Sequence, residues 1–303
     1  MKFLWIGLVL LGAFLALSLW TFWLAVRPPR ILIGGTPRDH GLPFEDVAIT
    51  SRDGARLAAW FIPSGGTAAD GRGTAEDGHA AAADGRVTSA AGAIVLLHGY
   101  PAEKADLLPI AAALHPRFAT LLVDLRYFGA STGHVTTLGY REKDDLSRAV
   151  DALGQRGLHR IGVFGYSLGG AVALLAAADD RRIRTVVAYA PFSDLRVLAK
   201  DLYASLWLLK HPFSHLMRLW GAIFLGADIT RPSPEMAAAR LDIPVLLIHS
   251  RDDDQIPFAH AERLRAALSR NGRAEFQLSH GGHNDRDPDF ERRVVDFFAK
   301  TLD

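Results

Sequence analysis

From residue 93 onward, short runs of continuous apolar residues alternate with longer stretches whose apolar residues recur at helical spacing. That alternation constrains the fold more than any other feature of the chain. The runs are Ala93–Leu97, Thr120–Val123, Ile161–Phe164, Thr185–Tyr189, Val245–Ile248 and Phe276–Leu278. The helical stretches between them are Tyr140–Arg156, Leu168–Ala178, Phe258–Arg270 and Asp289–Leu302. A strand that is apolar throughout must be covered on both faces, so the pattern predicts an α/β fold with a mostly parallel central sheet and helices on both sides. Ahead of it, Asp46–Thr50 and Leu57–Ile62 flank Ser51-Arg52-Asp53-Gly54, a hairpin signal. Over residues 195–240 the alternation is interrupted by Trp-, Leu- and His-containing segments, which predicts a helical cap insertion at the sheet's C-terminal edge.

The N-terminus carries a second constraint. Phe3 to Val26 holds no charged residue. As a helix it would span about 36 Å, more than the ~30 Å hydrocarbon core of a bilayer. Trp5 near one end and Trp20 and Trp23 near the other suit the two interfaces. The run is longer than a signal-peptide core, and no small-x-small site precedes Arg27. Residues 1–26 therefore read as an uncleaved single-pass transmembrane anchor, 27–43 as a Pro/Gly-rich linker and 44–303 as the folded domain. Lys2 on one flank faces Arg27, Arg30 and Arg38 on the other, which leans towards a cytoplasmic C-terminal domain. Within the domain, residues 63–92 are Gly, Ala, Asp and Thr with almost no large apolar side chain, and read as a flexible surface loop.

Composition narrows the function. With 49% hydrophobic and 22% charged residues, the chain is not disordered as a whole. A net charge of +1 gives no basic surplus for a phosphate backbone, so nucleic acid is not an expected partner. No cysteine is present, which removes disulfides, thiolate metal sites and cysteine nucleophiles. The histidines lack H-E-x-x-H or H-x-x-E-H spacing, so no metal site is expected.

The sharpest motif is Gly165-Tyr166-Ser167-Leu168-Gly169, G-x-S-x-G directly after a strand and directly before an Ala/Leu-rich helix. In that setting the central serine sits on a strained turn, and close strand–helix packing requires glycine two residues to either side. A serine hydroxyl needs a base, and the base needs an orienting acid. Candidates lie on loops after later strands, in His249–Pro257 and in Ser279–Asp285.

With these residues in place, the chain from about Phe44 to Asp303 resembles the α/β-hydrolase family. The resemblance implies a serine nucleophile at Ser167 followed in chain order by acid and histidine. His249-Ser250-x-x-Asp253-x-x-Ile256-Pro257 is similar to the family's H-G-x-x-D-x-x-V-P and selects Asp253 over Asp252 and Asp254. The G-G-H ending selects His283 over His280. Some members carry the acid after the sixth strand, where Asp194 stands; a helix cap is the plainer role for it. The oxyanion hole would use the backbone N–H of Leu168 and, from His98-Gly99-Tyr100-Pro101, that of Tyr100, with the His98 side chain holding loop backbone. Asp124–Ser131 resembles D-x-R-G-x-G-x-S with Tyr127 in place of the first glycine, at a surface turn beneath the site.

The expected function is a membrane-anchored serine hydrolase cleaving an ester or related acyl bond, most simply a carboxylic ester, without a cofactor. Its substrate would be a small molecule or lipid ester, and no obligate protein partner is implied. Ser167 excludes the aspartate nucleophile used by some proteins of this fold. A serine aminopeptidase-like or thioesterase activity, or a non-catalytic binding protein on the same fold, are the alternatives. Aromatic and aliphatic residues within Leu195–Gly226 could line an acyl pocket or simply pack a cap.

Overall fold

Eight strands form one sheet in the order β1-β2-β4-β3-β5-β6-β7-β8 in the computed structural model, which describes residues 1–68 and 92–302. β1 (Glu45–Thr50) and β2 (Arg56–Ile62) pair antiparallel, and β2 pairs antiparallel with β4 (Ala119–Val123). The rest, β3 (Ala93–Leu97), β5 (Ile161–Tyr166), β6 (Ile183–Tyr189), β7 (Val245–Ser250) and β8 (Ala274–Ser279), run parallel to their neighbours and to β4. Each apolar run read from the sequence is one of these strands. Most of the segment expected to be a flexible loop, 69–91, lies outside the described residues.

The strands explain why both faces had to be apolar. In β3, Ala93, Val95 and Leu97 face one core, while Ile94 and Leu96 face the other. The first core packs against α3 (Glu142–Gln155), α4 (Leu168–Ala177) and α8 (Ala259–Ala267). The second packs against α2 (Leu108–Leu114) and α9 (Phe290–Leu302). Helix α2 was not legible in the sequence, because seven residues give too few turns for a periodic signal. Between β6 and β7 lie α5 (Leu195–Leu202), a 3-10 segment (Ala204–Leu209), α6 (Lys210–Leu225) and the short α7 (Pro234–Ala238). Helix α7 belongs to the core layer, since Ala237 and Ala238 are buried.

The first helix, α1 (Lys2–Val26), is divided in its surroundings. It is long and apolar enough to cross a membrane, and its first half is exposed. In its second half, Phe14, Ser18, Phe22 and Val26 recur every four residues and so share one face, which lies against α6. The Phe14 and Phe213 rings meet at 5.6 Å, and Trp220 Nε1 donates to Ser18 Oγ at 3.0 Å. Phe22 and Val26 pack with Leu225 and Ile229. The sequence reading sets residues 1–26 apart as an anchor, yet half of that helix is packed on the cap.

The Asp124–Ser131 segment is less superficial than expected. Asp124 is fully buried and accepts from Lys104 Nζ (2.6 Å), Lys104 N (2.7 Å) and Ala130 N (2.9 Å), tying the loop after β4 to the loop after β3. Arg126 is also buried. It grips Asp145 of α3 through Nε (2.6 Å) and Nη2 (2.7 Å), and Asp53 of the β1–β2 turn at 2.7 Å. Tyr127 has φ 74°, the left-handed region where the resembled pattern carries glycine. Its hydroxyl donates to the Pro28 carbonyl at 2.8 Å, holding the chain that leaves α1.

Candidate active site

A parallel sheet delivers its strand C-termini to one edge, and the loops leaving β3, β5, β7 and β8 bring the expected residues together there. Ser167 stands between β5 and α4 with φ 51° and ψ −112°, a strained backbone that lifts its side chain clear of the turn. The turn is tight because a Cβ on Gly165 would lie 2.2 Å from the Gly169 carbonyl oxygen, and one on Gly169 would lie 2.3 Å from the Leu97 carbonyl oxygen. No side chain fits at either position. The strain is held in place by Ser167 N–H donating to the Tyr189 carbonyl of β6 at 2.7 Å.

His283 Nε2 lies 2.9 Å from Ser167 Oγ, and His283 Nδ1 lies 2.8 Å from Asp253 Oδ2. All three side chains are buried. The two oxygens of Asp253 are divided in their work. Oδ1 accepts from Gln255 N (2.9 Å) and Ile256 N (2.7 Å), which leaves Oδ2 to His283. Burial pushes the Asp253 carboxyl up, but the hydrogen bond from His283 and the two backbone amides outweigh it, so its pKa lies below the ordinary carboxylate value. The carboxylate therefore fixes Nδ1 as the protonated nitrogen and Nε2 as the acceptor for the serine hydroxyl.

The neighbours of Asp253 have other tasks. Asp252 is exposed, and Asp254 Oδ1 accepts from the His283 backbone N–H at 3.0 Å. His280 is exposed and contacts neither Ser167 nor Asp253. Asp194 caps α5, accepting from Arg196 N at 2.7 Å and from the Arg196 guanidinium, and none of its bonds reaches His283. The loop carrying His283 turns at Gly281, with φ +87°, where a Cβ would sit 2.5 Å from the Asp285 carboxylate. Sequence reasoning missed what holds this loop: Ser250 Oγ donates to the Gly281 carbonyl at 2.6 Å, and the Tyr166 ring stacks on His283 with centroids 5.2 Å apart.

Leu168 N–H opens α4, at the positive end of the helix dipole. Tyr100 N–H lies on the loop after β3. Neither amide has a backbone acceptor among the described residues. His98 is buried in the same loop; its Nδ1–H donates to the Gly99 carbonyl (2.8 Å) and its Nε2 accepts from Leu125 N (3.0 Å). Burial holds its pKa below the ordinary value, so it serves as a neutral strut.

A second Ser–His–Asp contact occurs elsewhere. Ser193 Oγ and Ser193 N both lie within 3.0 Å of His260 Nδ1, and His260 Nε2–H donates to Asp201 of α5 at 3.2 Å. Ser193 and His260 are completely buried, so this group meets no substrate and instead ties α5 to α8.

A cavity of about 280 Å³ opens over Ser167 and His283. It is lined mainly by apolar side chains from α5, α6 and the last turn and a half of α1.

The sheet order, the strained serine between β5 and α4, and the loops at one sheet edge define an α/β-hydrolase. Residues 134–303 match the model of the prolyl oligopeptidase family. The chain belongs to that family, and it is a hydrolase. Among curated proteins it is 28% identical to the uncharacterized protein YfhR of Escherichia coli K12 over 270 residues, covering 85% of this chain and 81% of that one. It is 35% identical to the uncharacterized protein YqkD of Bacillus subtilis over 149 residues, covering 48% and 49%. Among solved structures, the esterase Pf2001 of Pyrococcus furiosus superposes with a TM-score of 0.68 at 21% identity, covering 92% of this chain and all of that one. A puromycin-hydrolyzing peptidase of Mycobacterium tuberculosis superposes with a TM-score of 0.63 at 18% identity, covering 87% of this chain and 40% of that one.

Proposed function

We propose that the protein is a membrane-attached serine hydrolase that cleaves a carboxylic ester, or a related acyl bond, through Ser167, His283 and Asp253. One observation carries the reading. A strained serine, a histidine at 2.9 Å and a carboxylate at 2.8 Å from the other ring nitrogen stand in line beside an apolar cavity.

The chemistry follows from those distances. Ser167 Oγ attacks the acyl carbon while His283 Nε2 takes the hydroxyl proton. The developing oxyanion is met by the N–H groups of Leu168 and Tyr100. Asp253 stabilises the imidazolium without taking its proton. The tetrahedral adduct then collapses: its bond to the alkoxy oxygen breaks as His283 gives that oxygen the proton, the alcohol departs, and an acyl-Ser167 ester remains. Water, deprotonated by the same nitrogen, releases the acid and restores the serine. No cofactor enters.

A second reading, hydrolysis of an amide bond in a peptide, is supported by the family match and by the peptidase among the structural neighbours. The apolar lining of the cavity favours an acyl group. Attachment through α1 rests on its length and uncharged sequence, and the arginines at 27, 30 and 38 favour the cytoplasmic face for the hydrolase domain. The test is labelling of the full chain by a fluorophosphonate, followed by parallel assays with p-nitrophenyl esters and peptide p-nitroanilides. Ester turnover above anilide turnover supports the reading, and anilide turnover alone replaces it with the peptidase.

A further inference from the structure

The cavity over Ser167 is not built by the hydrolase domain alone. Phe22, Ala25 and Val26 of α1 form one of its walls, facing Leu198 and Leu202 of α5 and Met217 of α6. The helix is held there at three points besides its packing. Trp220 donates to Ser18, the Tyr100 hydroxyl donates to the Leu24 carbonyl at 3.3 Å, and Thr136 N donates to the Val26 carbonyl at 3.0 Å. Tyr100 is also the residue whose backbone N–H is assigned to the oxyanion, so α1 touches the catalytic loop directly.

The cavity's two arginines are each neutralised by a carboxylate, Arg196 by Asp194 at 2.7 Å and Arg218 by Asp228 at 3.0 Å, with Arg218 Nε left without a partner among the described residues. At about 280 Å³ it is small, near the lower limit of the roughly 300–1,000 Å³ typical of ligand sites. A single apolar chain fits a small cavity whose lining is mainly apolar. Around it, Trp207 and Leu208 of the cap and Leu219 and Ile223 of α6 are exposed, as is the first half of α1. Beside a helix long and apolar enough to cross a membrane, an apolar skin of that kind suits a lipid-facing surface.

We propose that the last turns of α1 are the wall of an acyl pocket, and that they select long-chain acyl esters drawn from the lipid layer around the helix. This rests on the hydrolase reading above and adds the substrate class and residues outside the hydrolase domain that set it. An ester from the bilayer would place its carbonyl at Ser167 and its chain between α1 and α6.

The experiment compares kcat/KM of the full chain, in neutral detergent micelles, on p-nitrophenyl dodecanoate and p-nitrophenyl acetate. Ala25→Trp fills the wall and should lower the dodecanoate-to-acetate ratio by about tenfold or more, the scale on which pockets discriminate apolar bulk. Phe22→Ala opens it and should raise the dodecanoate-to-acetate ratio. Leu10→Trp, on the exposed half of α1, should leave the ratio as it is. Fluorophosphonate labelling of each variant reports whether the site has folded, so Phe22→Ala carries the test alone if Ala25→Trp misfolds. If both wall variants change all chain lengths in proportion, or Leu10→Trp shifts the ratio as much, the wall assignment is overturned while the hydrolase reading stands. If the wild-type chain takes no label and cleaves no ester, the hydrolase reading fails and this proposal with it.

Discussion

The Tyr166 hydroxyl donates to the His283 backbone carbonyl at 2.8 Å, so the residue before Ser167 holds the loop that carries His283. The same hydroxyl lies 2.6 Å from the Asn284 side-chain oxygen. Burial, reinforced by Tyr189 and Asp106, pushes the phenol well above its ordinary pKa, so it remains a donor at any working pH. Tyr166→Phe should therefore lower kcat several-fold, as expected for one lost hydrogen bond worth about 1 kcal/mol, with little change in KM for a short ester. A change confined to KM would show that the bond positions substrate rather than His283.

Asp253 and Asp194 separate the two assignments of the acid. Asp253→Asn removes the group that fixes the His283 tautomer and should cost about 10³–10⁴-fold in kcat. Asp194→Asn keeps a capping side chain and loses only a partly exposed ion pair with Arg196, so it should cost less than about 1 kcal/mol of stability, with turnover within a few-fold of wild type. Kinetics on the folded fraction of each variant decides between them; the reverse ranking would move the acid to Asp194.

Arg126 is expected to dominate stability among the charged residues. Arg126→Ala leaves the Asp145 carboxylate buried without its partner, which should cost about 3–5 kcal/mol in denaturant unfolding. Asp53→Asn should cost far less, because that carboxyl is partly exposed to solvent. Comparable losses for the two variants would mean that the Arg126–Asp145 contact is not the centre of the cluster.

The pH dependence of folding should come from buried histidines. Burial holds His98, His249 and His260 below their ordinary value of 6.5, so the unfolded chain binds more protons than the folded one as pH falls below that value. Stability is therefore full above about pH 7 and declines towards pH 5. Asp53, held at about 2 by its hydrogen bond to Arg126, stays ionised through this window and contributes no slope there. Melting curves across the range should show the decline, shallower in His260→Gln; a flat profile would contradict the assignment.

Truncation tests whether α1 is only a tether. A chain starting at Arg30 loses the burial of Phe22 and Val26, each worth about 1.5–3 kcal/mol, together with the Trp220–Ser18 bond. Its Tm should fall on the order of 10 °C relative to the full chain in the same detergent. An unchanged Tm would restore the separable anchor that the sequence suggested.

Much of this architecture was legible before the fold was seen, for a physical reason. Strands buried on two faces leave unbroken apolar runs, so β3 to β7 stood out, whereas β8, an edge strand with Gln277 between the exposed Phe276 and Leu278, was marked by those two residues alone. Ser167 was legible because its elbow demands Gly165 and Gly169 in a fixed setting. What escaped was contact between parts already apolar. The stripe Phe14, Ser18, Phe22 and Val26 has no polar contrast inside an uncharged helix, so nothing in the sequence marks it as a packing face. Arg126 escaped because a buried ion pair between a loop, a turn and a helix has no local signature. Tyr127 was visible as a departure from glycine, but its bond to Pro28 depends on where α1 docks.

The central claim is that Ser167 is the nucleophile and that His283 activates it. The most direct measurement is fluorophosphonate labelling of the full chain with mass-spectrometric mapping, paired with turnover of p-nitrophenyl butyrate by wild type, Ser167→Ala and His283→Ala. The account predicts a single adduct on Ser167 in the wild type and none in Ser167→Ala, with turnover reduced on the order of 10⁴-fold or more in either variant because the two residues act as a unit. An adduct on another residue, or turnover surviving in Ser167→Ala, would contradict it.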